Sequence, residues 1–331
     1  MNKSLYVIGI EGGGTKTTAV LCALDGIMLS EAQGGPTNFH IVGIEKTAST
    51  LLDLIQTCCH SVGCSEAQIG AIVAGLAGAG RVPDQQRIMD KVLEVARMRS
   101  CHLEKVSIES DARIALEGAF SGKPGIVVIA GTGSIVFGKD ERDKVYRAGG
   151  WGRFIGDEGS GYAIGREAFR AVAKLLDGYG EKTKLVKLFD EKFGLGTQEA
   201  IIDAIYEEKY DFASVVPLVM EAVSKGDPAA KKILIRACSD LIEVIDAVLM
   251  KMNKGRKGVP KRPLAFVGSL LMNDNFYSRK IRSAIKREVP LVSLHNAESS
   301  PVVGAALMAI RLYHESLNSE NNSTIEDLTN H

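Results

Sequence analysis

The residues whose chemistry is easiest to interpret lie in two glycine-rich segments, one in each half of the chain. The first is Glu11-Gly12-Gly13-Gly14-Thr15-Lys16-Thr17, and the second is Gly131-Thr132-Gly133-Ser134. Each stands between two short apolar runs, a pattern that predicts a β-hairpin. A turn without Cβ atoms lets backbone N–H groups approach an anion, and threonine hydroxyls add donors. Two such turns favour binding of a polyphosphate from two sides, whereas an ordinary tight hairpin is the alternative for either one alone.

Three further segments carry side chains that could act on a ligand. Ser110-Asp111 stands where a predicted strand gives way to a helix, a usual place for a catalytic carboxylate, although a helix cap has the same sequence. The segment 149–161 combines many glycines with the single tryptophan, Trp151, and the carboxylate pair Asp157-Glu158. Carboxylates in a rigid loop suit vicinal sugar hydroxyls, and a buried tryptophan beside a helix cap is the alternative. Val267-Gly268-Ser269 follows a predicted strand and could let an adenosine approach the backbone.

The composition argues against several classes of protein. Forty basic and forty acidic residues cancel, and no basic stripe occurs, so neither nucleic acid nor an anionic membrane is an expected partner. No apolar run reaches membrane-spanning length and no leader pattern is visible, which predicts a soluble, cytoplasmic protein. The six cysteines form no Cys-x-x-Cys pair, and the histidines show no metal-binding spacing. Reduced, buried thiols are therefore expected.

Alternating strands and helices must position these residues. Apolar periodicity predicts strands at 69–74, 106–109, 264–267 and 291–294, besides the two hairpins. It predicts helices at 47–62, 84–98, 112–120, 161–176, 212–224, 228–252, 275–288 and 300–317. Asp227-Pro228 has the residue types of a helix cap followed by a first helical position.

This alternation predicts an α/β fold of two domains with a cleft between them, because 331 residues exceed the usual size of one core. The expected boundaries are residues 1–122 for the first domain and 123–317 for the larger second one. A helical insertion at 161–252 belongs to the second domain, and a disordered polar tail occupies 318–331. Residues 121–125, Ser-Gly-Lys-Pro-Gly, form the expected linker.

In combination these motifs resemble the N-acetylglucosamine kinases, within the benzoyl-CoA-reductase-activator type (BadF/BadG/BcrA/BcrD) branch of the actin-like ATPase superfamily. The resemblance rests on Glu-Gly-Gly-Gly-Thr at 11–15, Gly-Thr-Gly-Ser at 131–134, Gly-Gly-Trp-Gly at 149–152 and Gly-Asp-Glu-Gly-Ser at 156–160. Thr37-Asn38 and Asp111-Ala112 also occur where the family has substrate contacts and its catalytic aspartate. The resemblance covers residues 9 to about 313. It implies two actin-like, ribonuclease-H-like domains around a central cleft for ATP and sugar.

The resemblance also implies roles for individual residues. The ATP-binding residues would be Gly13, Gly14, Thr15, Lys16, Thr17, Gly131, Thr132, Gly133, Gly268 and Ser269. The sugar-binding residues would be Asn38, Asp111, Ser134, Gly150, Trp151, Gly152 and Asp157. Asp111 would be the catalytic base, and Glu11 would hold Mg²⁺ through water, since Mg²⁺ keeps much of its hydration shell.

The implied reaction is phosphorylation of N-acetylglucosamine by ATP to give N-acetylglucosamine 6-phosphate, carried out by a cytoplasmic homodimer. Glucosamine is an alternative substrate, because the animal enzyme has asparagine where this chain has Ile135. A second alternative is an ATPase that activates a dehydratase or reductase through an iron–sulfur cluster, although the second half of the chain has only Cys238 to offer. A sugar-binding regulator without catalysis is a third, disfavoured by the presence of Asp111 and both turns.

Overall fold

The computed structural model describes residues 5–206, 210–255 and 260–329, with side chains as far as residue 318. The chain divides into two units, and one of them is discontinuous in sequence. The first unit comprises Met1–Lys123 together with Ala297–His331, and the second comprises Pro124–Asn296.

The secondary structure follows in chain order. The strands of the described residues are β1 (Tyr6–Gly12), β2 (Thr17–Ala23), β3 (Met28–Gly34), β4 (Ile69–Leu76), β5 (Val106–Ser110), β6 (Gly125–Ala130), β7 (Ser134–Lys139), β8 (Val145–Gly149), β9 (Arg262–Val267) and β10 (Val292–His295). The α-helices there are α1 (Phe39–Val42), α2 (Ile44–Val62), α3 (Val82–Met98), α4 (Asp111–Ala119), α5 (Gly161–Leu176), α6 (Leu185–Phe193), α7 (Gln198–Tyr206), α8 (Val216–Ser224), α9 (Pro228–Asn253), α10 (Ser269–Met272), α11 (Phe276–Glu288) and α12 (Pro301–Thr329). Short 3₁₀ turns occur at Glu66–Gln68 and Phe212–Val215.

The two units contain sheets of the same topology. The first sheet has the order β3-β2-β1-β4-β5 and the second has β10-β9-β6-β7-β8. In each, three antiparallel strands in a meander are followed by two strands parallel to the first of them. This repeated α/β architecture confirms the predicted fold class.

Both predicted hairpins are present. β1 and β2 pair from Tyr6↔Ala23 to Gly12↔Thr17, and β6 and β7 pair from Gly125↔Lys139 to Ala130↔Ser134. Most predicted helices occur within a few residues of their expected bounds, whereas the final one, expected at 300–317, extends from Pro301 to Thr329. The edge strands β3 and β8 were not predicted, because their exposed and half-buried residues give no clear alternation of apolar and polar side chains. The short helices α1, α6, α7 and α10 were also missed.

The final helix, α12, belongs to the first unit, whereas residues 123–317 were expected to form the second domain. Val7 on β1 shares a buried apolar cluster with Ala305, Ala306 and Ala309 of α12. Ile8 and Ile10 point to the opposite face and join a separate cluster with α2 and α3, because side chains alternate along a strand. The first sheet is therefore covered on both faces only when α12 is included. The tail expected to be disordered is helical through Thr329, and residues 330 and 331 lie outside the described part.

Helices α5 to α9 form the predicted insertion between β8 and β9. Its longest member, α9, begins as the sequence indicates: the Asp227 side chain accepts a hydrogen bond from the Ala230 N–H at 2.9 Å, and Pro228 is the first helical residue. The six cysteines are unpaired thiols, five of them buried. No helix in the described ranges combines the length and the hydrophobicity needed to traverse a lipid bilayer.

Candidate active site

The first unit brings two carboxylates together at one edge of its sheet. Glu11 at the end of β1 is in register with Gly75 of β4, which in turn is in register with Glu109 of β5. These strands are parallel, so their carboxyl ends meet, and Asp111 follows as the first residue of α4. Burial raises the pKa of Glu11 and the nearby charge of Asp111 raises it further, against the opposing effect of Lys16. The two carboxylates are therefore close enough to repel each other.

The N-terminus of α12 lies at Glu11. The backbone N–H of Val302, the second residue of that helix, lies near the Glu11 carboxylate and lowers its pKa in part. The N-terminal end of a helix carries a partial positive charge, which favours a carboxylate there. Glu11 points this way because it lies on the same face of β1 as Val7 and Gly9, the face covered by α12.

Asp111 is accessible to a ligand. The residue is exposed, and its Oδ1 accepts a hydrogen bond from the Ala112 N–H at 2.8 Å. Surrounding protein desolvates the carboxylate and raises its pKa above 3.8, while the N–H groups of Ala112 and of Asp111 itself lower it in part. Ser110 occupies the helix-capping position, where its hydroxyl accepts from the Arg113 N–H at 3.2 Å. The α4 cap is thus supplied by Ser110, which leaves Asp111 for another role.

The turn between β1 and β2 is held by the segment that carries Asn38. The Gly13 carbonyl accepts hydrogen bonds from the N–H groups of Thr37 at 3.0 Å and Asn38 at 3.1 Å. The Gly13 N–H donates to the Lys16 carbonyl at 3.0 Å, and residues 14–16 are exposed. The Asn38 side chain accepts from the His40 N–H at 3.2 Å and caps α1. The exposed turn at residues 14–16 and Asn38 are therefore held next to each other by backbone hydrogen bonds to Gly13.

The Thr17 hydroxyl is used inside the protein. The side chain is fully buried, and its hydroxyl donates to the Gly35 carbonyl at 2.7 Å and lies 2.9 Å from the Thr37 hydroxyl. The hydroxyl thereby joins the first hairpin to the segment after β3, and the ATP-binding role that the resemblance implies for Thr17 stays a prediction.

The turn between β6 and β7 is anchored to the start of α5. The Gly131 carbonyl accepts from the Gly161 N–H at 2.8 Å, and the Thr132 carbonyl accepts from the Tyr162 N–H at 3.0 Å. Within the turn, the Gly131 N–H donates to the Gly133 carbonyl at 2.9 Å. The Thr132 side chain is exposed, and its hydroxyl makes no hydrogen bond to any residue that the structure describes. These hydrogen bonds hold the turn, and the Thr132 hydroxyl at its tip is free to act as a donor.

Asp157 lies directly behind that turn. Its carboxylate accepts from the Ser134 N–H at 3.2 Å, and the Ser134 hydroxyl donates to the Glu158 carbonyl at 2.7 Å. Asp157 is buried and has a left-handed backbone with φ of 62°, a conformation that costs energy outside glycine. Burial raises its pKa, the Ser134 N–H lowers it, and the charge of Glu158 raises it. A strained, buried carboxylate beside a phosphate-type turn is typical of a ligand site.

The loop after β8 presents Trp151 to solvent. The indole is 68% exposed, with the Arg147 guanidinium 6.0 Å from its ring centre, so a buried structural tryptophan is ruled out. Gly150 has φ of 68° and donates its N–H to the Ser134 carbonyl at 3.1 Å. A Cβ at Gly150 would lie 2.3 Å from Ile135 Cδ1, and the positive φ favours glycine at this position. The loop is therefore fastened to the second turn while its tryptophan stays outside.

A cavity of about 300 Å³ opens beside the second turn, entirely within the second unit. Its apolar wall comes from the 3₁₀ turn, α8 and α10, and its polar rim from the turn and from the residues after α10. The lining residues are Gly131, Thr132, Gly161, Ala213, Val216, Pro217, Met220, Ser269, Leu270, Asn273 and Asn275. An apolar pocket that ends at a glycine-threonine turn suits a flat aromatic base with a phosphate chain.

Each unit thus assembles part of the predicted site. The first unit groups Glu11, Lys16 and Asp111, with Asn38 on the neighbouring turn, and the second groups Thr132, Ser134 and Asp157. Ser269 lines the cavity of the second unit. The apolar wall was missed, because Ala213, Val216, Pro217 and Met220 carry no chemical signature in sequence. Among the described residues no group of three or more histidine, cysteine or acidic side chains could hold a metal ion.

Comparisons with known proteins agree on one group of relatives. The model of the BadF/BadG/BcrA/BcrD ATPase family matches residues 8–309. The chain is 34% identical to the N-acetylmuramic acid/N-acetylglucosamine kinase of Clostridium acetobutylicum, over 92% of this chain and 98% of that one. It is 31% identical to the N-acetyl-D-glucosamine kinase of Dictyostelium discoideum, over 94% and 99% of the two chains. The crystal structure of a proposed N-acetylglucosamine kinase from Chromobacterium violaceum superposes with a TM-score of 0.69 at 26% identity, covering 92% and 99%.

Proposed function

The chain belongs to the BadF/BadG/BcrA/BcrD ATPase family, and from that membership we propose that it phosphorylates an amino sugar with ATP. The proposed reaction converts N-acetylglucosamine to N-acetylglucosamine 6-phosphate. The observation that carries the nucleotide half is the cavity that begins at Gly131 and Thr132 and continues between apolar side chains. The sugar half rests on two relatives above 30% identity that are named as kinases of N-acetylated hexosamines.

Asp111 is the proposed catalytic base. One carboxylate oxygen is held by the Ala112 N–H, so the other is available to accept the proton of the sugar 6-hydroxyl. As the proton leaves, the hydroxyl oxygen attacks the γ-phosphorus in line and ADP departs with the electrons of the broken bond. The raised pKa makes Asp111 a stronger base than an ordinary aspartate while it is ionised. Little other covalent chemistry is needed, because phosphoryl transfer depends mainly on positioning and electrostatics.

Phosphate binding is assigned to the two turns. The exposed N–H groups of residues 14–16, the Lys16 ammonium and the Thr132 hydroxyl are donors that suit phosphate oxygens. Glu11 fits a Mg²⁺ ion held through water, since this ion is held by one or two carboxylates together with water and substrate phosphates. Burial first, and the charge of Asp111 second, raise the pKa of Glu11, and the charge of the ion would oppose both effects. When bound, the ion would neutralise charge on the transferred phosphoryl group.

The sugar is assigned to Asn38, Ser134, the 150–152 loop and Asp157. Asp157 keeps one oxygen without a hydrogen bond to any described residue, and a charged acceptor binds sugar hydroxyls well. Trp151 offers an exposed apolar ring face, which suits the C–H face of a hexose. Homodimer assembly and a cytoplasmic location are further proposals, and both are in keeping with the family resemblance.

A coupled ADP-release assay tests this function. The sugars to compare are N-acetylglucosamine, glucosamine, N-acetylmannosamine, N-acetylmuramate and glucose, each with and without Mg²⁺. The proposal predicts release that depends on sugar and on Mg²⁺, highest with N-acetylglucosamine, and glucosamine as the best substrate would favour the alternative kinase. Sugar-independent ADP release by an iron-containing protein would favour the iron–sulfur activator. Cys238, which that activator would need, lies buried in the core of the second unit.

A further inference from the structure

One end of the cavity in the second unit lies at the glycine-threonine turn, where the phosphates of a nucleotide would bind. Gly161 is packed closely at this end, because a Cβ added to it would lie 3.0 Å from the Gly131 carbonyl and 3.3 Å from the Ala213 side chain. From there α8 and α10 lead away from the turn. Met220 is four residues beyond Val216, and Asn273 four beyond Ser269, so each lies roughly 6 Å, one helical turn, farther along. A nucleotide with its phosphates at the turn would therefore place its base near Met220 and Asn273.

Asn273 and Asn275 line this far end, and only the Asn275 side-chain amide is hydrogen-bonded to described residues. The Asn275 amide nitrogen donates to the carbonyls of Leu270 and Asn273, at 3.1 and 3.0 Å, and its oxygen accepts from the Ser278 N–H at 2.8 Å. Asn275 thereby fixes the loop between α10 and α11. The Asn273 side chain is exposed at the cavity rim and makes no hydrogen bond with any part of the chain that is described. Only its backbone is engaged.

A free carboxamide has the complementary pattern for one edge of adenine. Its oxygen can accept from the N6 amino group while its nitrogen donates to N7. Guanine and hypoxanthine present two acceptors there, so the amide oxygen would face the O6 atom unfavourably. The neighbouring walls formed by Pro217, Met220 and Leu270 are apolar and can contact only the faces of the base. Asn273 is thus a polar side chain with free donor and acceptor groups where the base would lie.

We infer that Asn273 is the residue that selects adenine, through a bidentate contact of its carboxamide with N6 and N7 of the base. This inference rests on the proposed nucleotide site but not on the identity of the sugar. One bidentate amide–adenine contact gives about 5- to 150-fold discrimination, and a position at the rim suggests about tenfold.

Calorimetric binding of ADP, 7-deaza-ADP and IDP, without sugar, tests the two contacts separately. Replacement of N7 by C–H in 7-deaza-ADP removes the acceptor, and the 6-oxo group of IDP replaces the amino donor. The wild-type protein is expected to bind each analogue about tenfold more weakly than ADP. Asn273→Ala should weaken ADP binding by a similar factor and make the three affinities equal within about twofold. Asn273→Asp keeps an acceptor and loses the donor, so it should still prefer ADP to IDP but no longer ADP to 7-deaza-ADP.

Asp274→Ala is the matched control. Asp274 is the adjacent residue, with an 81% exposed side chain paired to Arg279, and it does not line the cavity. This variant should keep all three wild-type affinities. Asn273→Ala should melt as the wild type does, because the side chain is exposed and the hydrogen bonds of Asn273 to described residues are made by its backbone. If ADP binds but Asn273→Ala retains the wild-type ratios, the inference is wrong while the nucleotide site stands. If the wild-type protein binds no ADP at millimolar concentration, both proposals are wrong.

Discussion

The contact between α12 and β1 at Gly9 gives a prediction that links stability to the site. A Cβ at Gly9 would lie 2.3 Å from Ala306 N, 2.7 Å from Val302 O and 2.8 Å from Ala306 Cα. All three are backbone atoms of one helix, so no rotamer change can relieve the overlap. Gly9→Ala must therefore move α12 away from the sheet, and the helix end at Glu11 moves with it.

The magnitude follows from the size of this overlap. The shortest gap is about 1 Å less than an ordinary van der Waals contact. Overpacking of this kind costs roughly 1–3 kcal/mol, and alanine regains roughly 0.5–1 kcal/mol because it restricts the unfolded chain more than glycine does. Because the overlap is with backbone atoms, the upper part of the cost applies, and we expect a net loss of about 1–2.5 kcal/mol in the free energy of unfolding. In a unit of this size that corresponds to a decrease of about 2–10 °C in Tm.

Gly80→Ala is the matched control, because a Cβ at Gly80 meets no atom within 4 Å and its backbone is not left-handed. Urea unfolding gives the free energies, and the ADP-release assay gives kcat and KM for both variants. Gly9→Ala should be less stable than Gly80→Ala and should lower kcat, because the N-terminus of α12 moves away from Glu11. Equal stability of the two variants would show that α12 does not pack on Gly9 as the structure has it.

Further predictions concern single side chains of the candidate site. Asp111→Asn should lower kcat by ~10²–10⁴, and turnover above about a third of wild type would assign the base to another residue. In the wild type kcat/KM should fall as the pH drops through the raised pKa of Asp111, and the variant should lack this fall. The raised pKa of Glu11 means that its ionisation is unfavourable in the folded state, so the free energy of unfolding decreases as the pH rises through that pKa. Glu11→Gln should therefore have a higher Tm than the wild type at neutral pH, measured by calorimetry. Thr132→Val should raise the KM for ATP, whereas Asp157→Ala should weaken the sugar by roughly 1.5–3 kcal/mol, and an effect of Asp157→Ala on ATP alone would contradict the assignment. The exposed indole of Trp151 should change its emission saturably with N-acetylglucosamine, and an unchanged spectrum together with a raised Tm would remove this loop from the sugar site.

Much of the local structure could be predicted from short stretches of sequence. The hairpins and the cap at Asp227 depend on turn residues, apolar periodicity and hydrogen bonds within a few residues, and all of these are visible in the sequence. The sequence could not show whether Ser110 or Asp111 caps α4, because both residue types cap helices. Backbone geometry was needed to tell them apart.

The fold class, the two glycine-threonine turns and the polar residues of the candidate site could all be predicted from the order of the amino acids. Three features became visible only once the chain was folded: α12 completes the first unit, the Thr17 hydroxyl is hydrogen-bonded inside the protein, and the Asn273 side chain is free at the rim of an apolar cavity. The difference lies in the range of the interactions. Periodicity and turn chemistry act between neighbours in the chain, whereas burial and hydrogen-bond satisfaction depend on which distant segments pack together.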